Sequence, residues 1–294
     1  MGFHVIYRST GRENRKRRPS FYSKLACLAS FLRAFERCSD SEVIFLNDGE
    51  IPSERLAAMK AMGEVVAIRQ APEPEKQSIG FLLYRSNMSA LQLVDERMWP
   101  GSDLVYFAED DYLYLPEAFD RLIEAAALLR QASYLAFYAS ILWNRSYGYW
   151  VNDELWQTAE GTTSTFGARI DALRADRLIH RLAFKVGFDT DVSLAYQGIA
   201  PFRWSHIFGE LLYGAPGNRR PFLARVRSNC GKALVNLLAA RAALRPHLLV
   251  APYRPLATHV ELPYLATGVD WEAVARESAR WLEENQGIPT DLSY

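Results

Sequence analysis

The sequence predicts an α/β protein, a three-layer sandwich around a mostly parallel sheet with helical additions at its C-terminal end. Three observations carry that expectation. Short apolar runs rich in β-branched and aromatic residues alternate with helix-period segments through the first half of the chain. These runs are apolar throughout instead of at alternate positions, which marks strands covered by helices on both faces, as parallel strands are. Each run also ends abruptly in polar or acidic residues, and in such sheets ligands bind beyond the carboxyl ends of the strands. At 294 residues, 49% hydrophobic and 23% charged, the chain has ample material for a large core.

"FHVIY" (3–7) is the first strand, running into the polar stretch "RSTGRENRKRRP". In "SFYSKLACLASFLRAFER", Leu25, Leu28, Leu32 and Phe35 recur at helical spacing, with Ser20 as the expected N-cap. "EVIFLND" (42–48) is a second strand closed by Asp48 and Gly49, and "SERLAAMKAMG" is a helix stopped by Gly63. "EVVAIRQ" (64–70) is a third strand, "SIGFLLYRSNMSALQLVDERM" a long helix, and "DLVYFAE" (103–109) a fourth strand, with a helix expected from near Pro116. "SYLAFYAS" (133–140) reads as a further strand, and the aromatic stretch after it as loops punctuated by glycine. "RADRLIHRLAFKVG" is a basic amphipathic helix with His180 expected at its surface, and 224–249 is a second basic helical stretch. "VAPYRPLATHVELPYLATGVDW" reads as a proline-rich loop, followed by a closing helix capped by Asp270. Without a repeat or clear linker, the expected organisation is a catalytic domain over 1–215 and a helical and loop extension over 216–294.

Lysine plus arginine equals aspartate plus glutamate at 34 each, so no global field argues for nucleic acid or an acidic partner. Cys27, Cys38 and Cys230 are odd in number and lack CxxC spacing, which favours a reducing compartment over a cysteine-rich zinc site. "MGFHVIYRST" is too short and polar for a signal peptide, and no run of about 18 apolar residues is present. The expectation is a cytoplasmic enzyme. Basic amphipathic stretches at 173–185 and 224–248 are the features that suit peripheral contact with the inner face of a membrane.

"DLVYFAEDDYLYLPEAF" (103–119) is the stretch that most needs explaining, because Glu109, Asp110 and Asp111 follow an apolar strand directly. A solvated turn is one reading and a cation site the other. On extended backbone, Glu109 and Asp111 share a face and Asp110 opposes them. Such an acid-x-acid pair suits Mg²⁺ or Mn²⁺, which take oxygen ligands and leave positions for phosphate. Unneutralised, the clustered carboxylates would raise one another's pKa. The other strand exits are polar too: Arg8-Ser9-Thr10 after the first strand and Asp48 after the second.

"VIYRST", "VIFLND" and "VYFAEDD", in that order and spacing, resemble the corresponding stretches of GT-A fold glycosyltransferases, closest in style to family 2 enzymes of the DxD type. The resemblance covers about residues 3 to 200. It implies a metal-dependent transferase that moves a sugar from a nucleotide-diphospho-sugar, with Mn²⁺ or Mg²⁺, to a saccharide or lipid-linked glycan acceptor in cell-surface polysaccharide biosynthesis. It implies that Asp48 contacts the base or ribose, and that Arg8, Ser9 and Asp110 line the nucleotide. Glu109 stands for the first acid of DxD, where Asp is usual, and Asp111 for the last, the direct metal ligand. Arg85, with Asn87 nearby, lies where such enzymes often turn helix residues toward the diphosphate or ribose, although a surface position fits as well. In "KVGFDTDVSLAYQG", Asp191 is favoured over Asp189 as the general base of an inverting displacement, with a plain helix cap as the alternative for either. His259, in a proline-flanked loop, takes the place of a histidine that completes the metal shell. His206 is a weaker candidate for the acceptor site, and the aromatic loops "SYGYW", "ELWQ" and "AEGTTSTFG" suit either a sugar pocket or a core edge. The basic run over 12–19 reads as a solvated loop, or as a contact for diphosphate or an anionic membrane. One rival is a nucleotidyltransferase, which needs a glycine-rich basic loop after the first strand, whereas Gly11 is the only glycine there. A non-catalytic domain that binds a glycan or membrane is the other.

Overall fold

Side chains of the first strands alternate between two apolar clusters, one on each face of the sheet, and this builds the layers. In β1 (Phe3–Thr10), Val5 and Tyr7 join one apolar cluster while Ile6 joins another. In β2 (Ser41–Asp48), Val43 and Phe45 face the first cluster, and Ile44 and Leu46 the second. The computed structural model describes residues 1–12, 16–68, 78–138, 147–163, 165–212 and 222–290. Outside them lie positions 13–15 of the basic run, 69–70 of the third strand, 139–140 of "SYLAFYAS", Ser146, Ser164 and the domain boundary expected at 215/216.

Helices α1 (Lys24–Phe35) and α2 (Ser53–Met62) cover the first face, joined later in the chain by α4 (Ala118–Leu128) and α10 (Trp271–Gln286). The strands between are β3 (Glu64–Ala67), β4 (Leu104–Glu109) and the short β5 (Tyr112–Tyr114). The second face is covered by α3 (Ile79–Arg97), α5 (Ile170–Ala175), α6 (Arg177–Val186), α7 (Asp189–Tyr196) and α9 (Phe222–Ala242), with α8 (Trp204–Leu212) packed on α9. The remaining strands are β6 (Ala132–Leu135), β7 (Gly148–Val151), β8 (Glu154–Thr158), β9 (Phe166–Arg169), β10 (Leu248–Pro252) and β11 (Ala257–His259).

Among the described residues the main sheet has nine strands in the order β3-β2-β1-β4-β9-β6-β10-β8-β7. The first four are parallel, as expected. β9 runs antiparallel between β4 and β6, β10 is parallel to β6, and the β7–β8 hairpin closes the sheet. Only β9 and β8 therefore run against the rest, and the three-layer α/β class with a mostly parallel sheet is what forms. The sheet thus carries a 3-2-1-4 run of parallel strands followed by an antiparallel neighbour.

Several local expectations need correction. Ser23, not Ser20, caps α1, its hydroxyl accepting from the backbone N–H groups of Leu25 and Ala26. The glycine-punctuated stretch after 147 holds the β7–β8 hairpin and β9 as well as loops. The proline-rich segment contributes β10 inside the main sheet and β11, which pairs with β5 in a separate two-stranded ribbon. Asp270 does cap α10, accepting from Ala273 N.

His180 is fully buried on α6, against the expectation of a surface position. It shares its helix face with the buried Ile179 and Ala183 and packs against Phe166 and Tyr196. Its Nε2 lies 3.1 Å from the Tyr134 hydroxyl, which donates at 2.8 Å to Asp176, and His247 Nδ1 meets the same carboxylate oxygen at 2.6 Å. Burial pushes His180 down from 6.5 to about 4, whereas the hydrogen bond to Asp176 raises His247. Between pH 4 and 6.5 the unfolded chain therefore binds a proton at His180 that the folded chain refuses, so stability falls as pH falls. His247 acts in the other window: its contribution is complete below its unfolded value and is lost as pH rises through its folded one.

Urea unfolding measured from pH 7 to pH 4 should show an acid-side loss of roughly 3 kcal/mol attributable to His180. His180→Phe should flatten that slope; an unchanged slope in the variant would exclude His180 as its source.

Candidate functional site

β1 lies between β2 and β4, so the chain's progression across the sheet reverses there, and a crevice opens beyond the carboxyl ends of these strands. Pairing register sets what enters it: Arg8 stands opposite Glu109 and Thr10 opposite Asp48. The cavity at this point has a volume of about 360 Å³ and is lined by Arg8, Ser9, Thr10, Arg12, Lys16, Asp48, Glu109, Asp110, Asp111, Thr163, Asp189 and His259, with Leu82, Leu83 and Ser86 of α3. That size suits a small-molecule ligand.

The three acids go three ways. Glu109, the last residue of β4, meets Arg8 at 3.2 Å and accepts from the Thr165 hydroxyl at 3.3 Å. Arg8 is itself buried, and donates to Asn87 of α3 at 2.6 Å. Asp110 turns to the opposite face, where it accepts from Thr10 N at 2.8 Å, from the Ser9 hydroxyl at 3.2 Å and from the Lys24 ammonium at 3.0 Å, with Arg55 of α2 at 3.5 Å. Lys24 also donates to the carbonyls of Thr10 and Arg12, which fixes the exit of β1 over the start of α1. Asp111 lies in the turn between β4 and β5. One of its oxygens is met by Lys16 at 3.0 Å, Arg18 at 2.8 Å and His259 Nε2 at 3.0 Å.

The ribbon of β5 and β11 brings His259 to the acids. His259 stands opposite Tyr112, stacks on that ring at 5.0 Å, and the following Val260 N donates to Asp111 O. Tyr112 in turn donates to Thr163 at 2.7 Å, so the ribbon is tied to the cavity wall.

These surroundings push the acids apart. Burial raises Glu109, against the pull of Arg8, and the charges of Asp111 and Asp189 add to the rise. Burial likewise raises Asp110 against the pull of Lys24. For Asp111 burial is outweighed by His259, Lys16 and Arg18, which hold its carboxyl well below the usual range. Lys16 rises because Asp111 outweighs the cost of burying its ammonium.

Arg8, Ser9, Asp48, Glu109, Asp110, Asp111 and His259 thus line one cavity. Arg85 stands just behind, donating to Asp48 at 2.6 Å. Asp191 does not join them. Its carboxylate accepts from Phe188 N at 2.7 Å, closing the first turn of α7. It is Asp189, two residues earlier, that lines the cavity. His206 lines a separate cavity of about 260 Å³ with Arg203, Glu210 and Lys232.

The expected metal set of Asp111, Glu109 and His259 is tested by this geometry. Asp111 and His259 meet, with Glu261 at 3.8 Å from His259, but Glu109 is turned to Arg8, and among the described residues no three His, Cys, Asp or Glu side chains are arranged to hold a metal ion. The position beside Asp111 is taken by the ammonium of Lys16 and the guanidinium of Arg18. As arranged, these residues do not fit a divalent cation.

Lys16, Arg18, Lys24 and Thr165 were not singled out as site residues from the sequence, and Asp189 was ranked behind Asp191. The signal for the first two was present: the basic run follows the exit of β1 and carries enough cations to answer the acids.

No protein-family model matches the chain, and a search of the curated proteins finds no match. Solved structures are similar in layout. One is TarS 1–349 of S. aureus, at 12% identity and a TM-score of 0.40, covering 83% of this chain and 74% of that one. A 4-diphosphocytidyl-2C-methyl-D-erythritol synthase has 13% identity and a TM-score of 0.35, over 65% of this chain and 82% of that one. A mycobacterial protein has 11% identity and a TM-score of 0.39, over 98% and 75%. At these scores the functional reading rests on the site's own geometry.

Lys24→Met would leave the buried Asp110 carboxylate with Arg55 as its remaining cation, and should cost about 3–5 kcal/mol. The urea midpoint should fall with the m-value unchanged, and Lys24→Arg should recover part of the loss. A Lys24→Met protein as stable as the parent would contradict the pairing.

Proposed function

We propose that this chain is a glycosyltransferase acting on a nucleotide-diphospho-sugar donor. The observation that supports this best is the meeting of three polar strand exits, at Arg8, Asp48 and Glu109–Asp111, in one cavity at the sheet's switch point. In this reading Asp48, steadied by Arg85, faces the base or ribose. Arg8 and Lys16 face the diphosphate. Asp189 takes the place expected of Asp191: its carboxylate draws the proton from an acceptor hydroxyl, whose oxygen attacks the anomeric carbon as the bond to the diphosphate breaks. That displacement inverts the centre. The acceptor is a saccharide or lipid-linked glycan.

A second reading has a specific observation in its favour. Arg12 and Lys16, from the segment after β1, line the cavity, and a nucleotidyltransferase making sugar nucleotides needs basic residues there. Pyrophosphate release from a nucleoside triphosphate and a sugar 1-phosphate would identify that activity.

Purified protein offered a panel of UDP-, GDP-, CMP- and TDP-sugars, with and without added Mn²⁺, should release nucleotide from one of them. Asp189→Asn should lower kcat about 10²–10⁴-fold while nucleotide binding persists. The glycosyltransferase reading fails if no donor turns over, and the assignment of Asp189 fails if its variant keeps full activity.

Peripheral membrane contact is proposed at α8 and the start of α9. Trp204 and Phe208 stack on one another while remaining exposed, Phe222 and Leu223 are exposed as well, and the exposed Arg203 and Arg227 flank them. None of the described helices is long and apolar enough to cross a membrane. The protein should sediment with vesicles containing phosphatidylserine but not with purely phosphatidylcholine ones, and Trp204→Ser with Phe208→Ser should abolish that; equal recovery with both vesicle types would remove the charge argument.

A further inference from the structure

We infer that the site engages its diphosphate without a divalent cation, because Lys16 stands where such an ion would stand. The inference rests on the nucleotide-sugar reading and deepens it.

Lys16 and Arg18 both meet Asp111, but they are held differently. Arg18 is fixed on three sides: it donates to Asp111 and to the Val260 carbonyl, and its guanidinium lies 4.2 Å from the centre of the Tyr22 ring. Lys16 lines the cavity, with its side chain 31% exposed. Its ammonium lies 3.0 Å from Asp111 and 3.0 Å from His259, with Glu261 at 3.6 Å. An ammonium on a flexible four-carbon stem, anchored on a buried carboxylate with a guanidinium held on three sides behind it, delivers positive charge to the cavity as a metal held by the same acid would. Arg18 keeps Asp111 compensated when Lys16 turns a donor outward, so the exchange leaves no bare buried charge.

Lys16 thereby has a defined part in the reaction. The bond between the anomeric carbon and the diphosphate oxygen breaks, its electron pair goes to the diphosphate, and the acceptor's proton goes to Asp189. Lys16 donates to the oxygen on which the charge develops, an electrostatic role.

Calorimetric titration of UDP, GDP, CDP, ADP and dTDP, each in EDTA and again in Mn²⁺, tests the inference. The nucleotide that binds should do so in EDTA within about threefold of its affinity in Mn²⁺. Lys16→Met should weaken it by about tenfold or more, and Lys16→Arg should restore most of the loss. Lys16→Met leaves Asp111 with Arg18 and His259, so its melting temperature should fall only modestly, and titrations run well below it compare folded proteins. Binding that appears only with Mn²⁺ or Mg²⁺ overturns the inference and leaves the nucleotide reading standing. Undiminished binding by Lys16→Met overturns it as well. If none of the five nucleotides binds under either condition, both readings fall.

Discussion

Glu109, Asp110 and Asp111 are consecutive and sit at or within the protein surface, and no single counterion serves all three. Strand geometry sends Glu109 and Asp110 to opposite faces, and the turn carries Asp111 forward over the rim. A buried carboxylate without a partner costs several kcal/mol, so each acid requires its own cation from a different direction. Arg8 reaches Glu109 because β1 lies beside β4 in the register that sets them opposite. Lys24 and Arg55 reach Asp110 because α1 and α2 cover that face of the sheet. Lys16 and Arg18 reach Asp111 because residues 16–18 lie against the turn, and β11 adds His259 beside them. The rim is thus held together by charges that the chain supplies to itself.

The same pairing sorts the acids by chemistry. Asp111, ringed by cations, stays ionised, while Glu109 and Asp110 are raised by burial despite their partners. Asp189 adds to the rise at Glu109 from across the cavity, so two carboxylates of unlike surroundings face the same space. Pushing neighbouring acids in different directions is how a site keeps one carboxylate as a fixed charge and another available for a proton.

How much of this was legible depends on what each residue's neighbours in sequence reveal. β1, β2 and β4 were readable because strands buried on both faces are apolar throughout, and their exits stand out by contrast. β10 was not, because Pro252 and Pro255 make a short strand look like a loop. His180 was misjudged because Arg177, Arg181 and Lys185 dominate its helix, yet Ile179 and Ala183 on its own face were the informative neighbours. The identities of Asp48, Glu109, Asp111 and His259 were visible, but their partners were not. In a run such as Lys16-Arg17-Arg18, only the folded path decides which cation is paired and which is solvated. Asp189 and Asp191 pose the same difficulty: both suit the first turn of a helix, where acids are favoured. Two positions apart on a helix they point in different directions, so one closes the cap and the other faces the cavity.

Asp111 has one partner held on three sides and another on a flexible stem, and this limits what a ligand has to displace. A diphosphate entering the cavity meets acids whose charges are already answered, so it is not repelled by three bare carboxylates. Of the two basic side chains on Asp111 it competes for Lys16, since Arg18 is committed to Asp111, the Val260 carbonyl and the Tyr22 ring. An ammonium carries three donors on a flexible stem, whereas a guanidinium is a planar fork that loses its geometry when one arm is withdrawn. Lysine at position 16 and arginine at position 18 therefore match the two duties: one side chain can be shared between Asp111 and a phosphate oxygen, and the other keeps Asp111 ionised while it is.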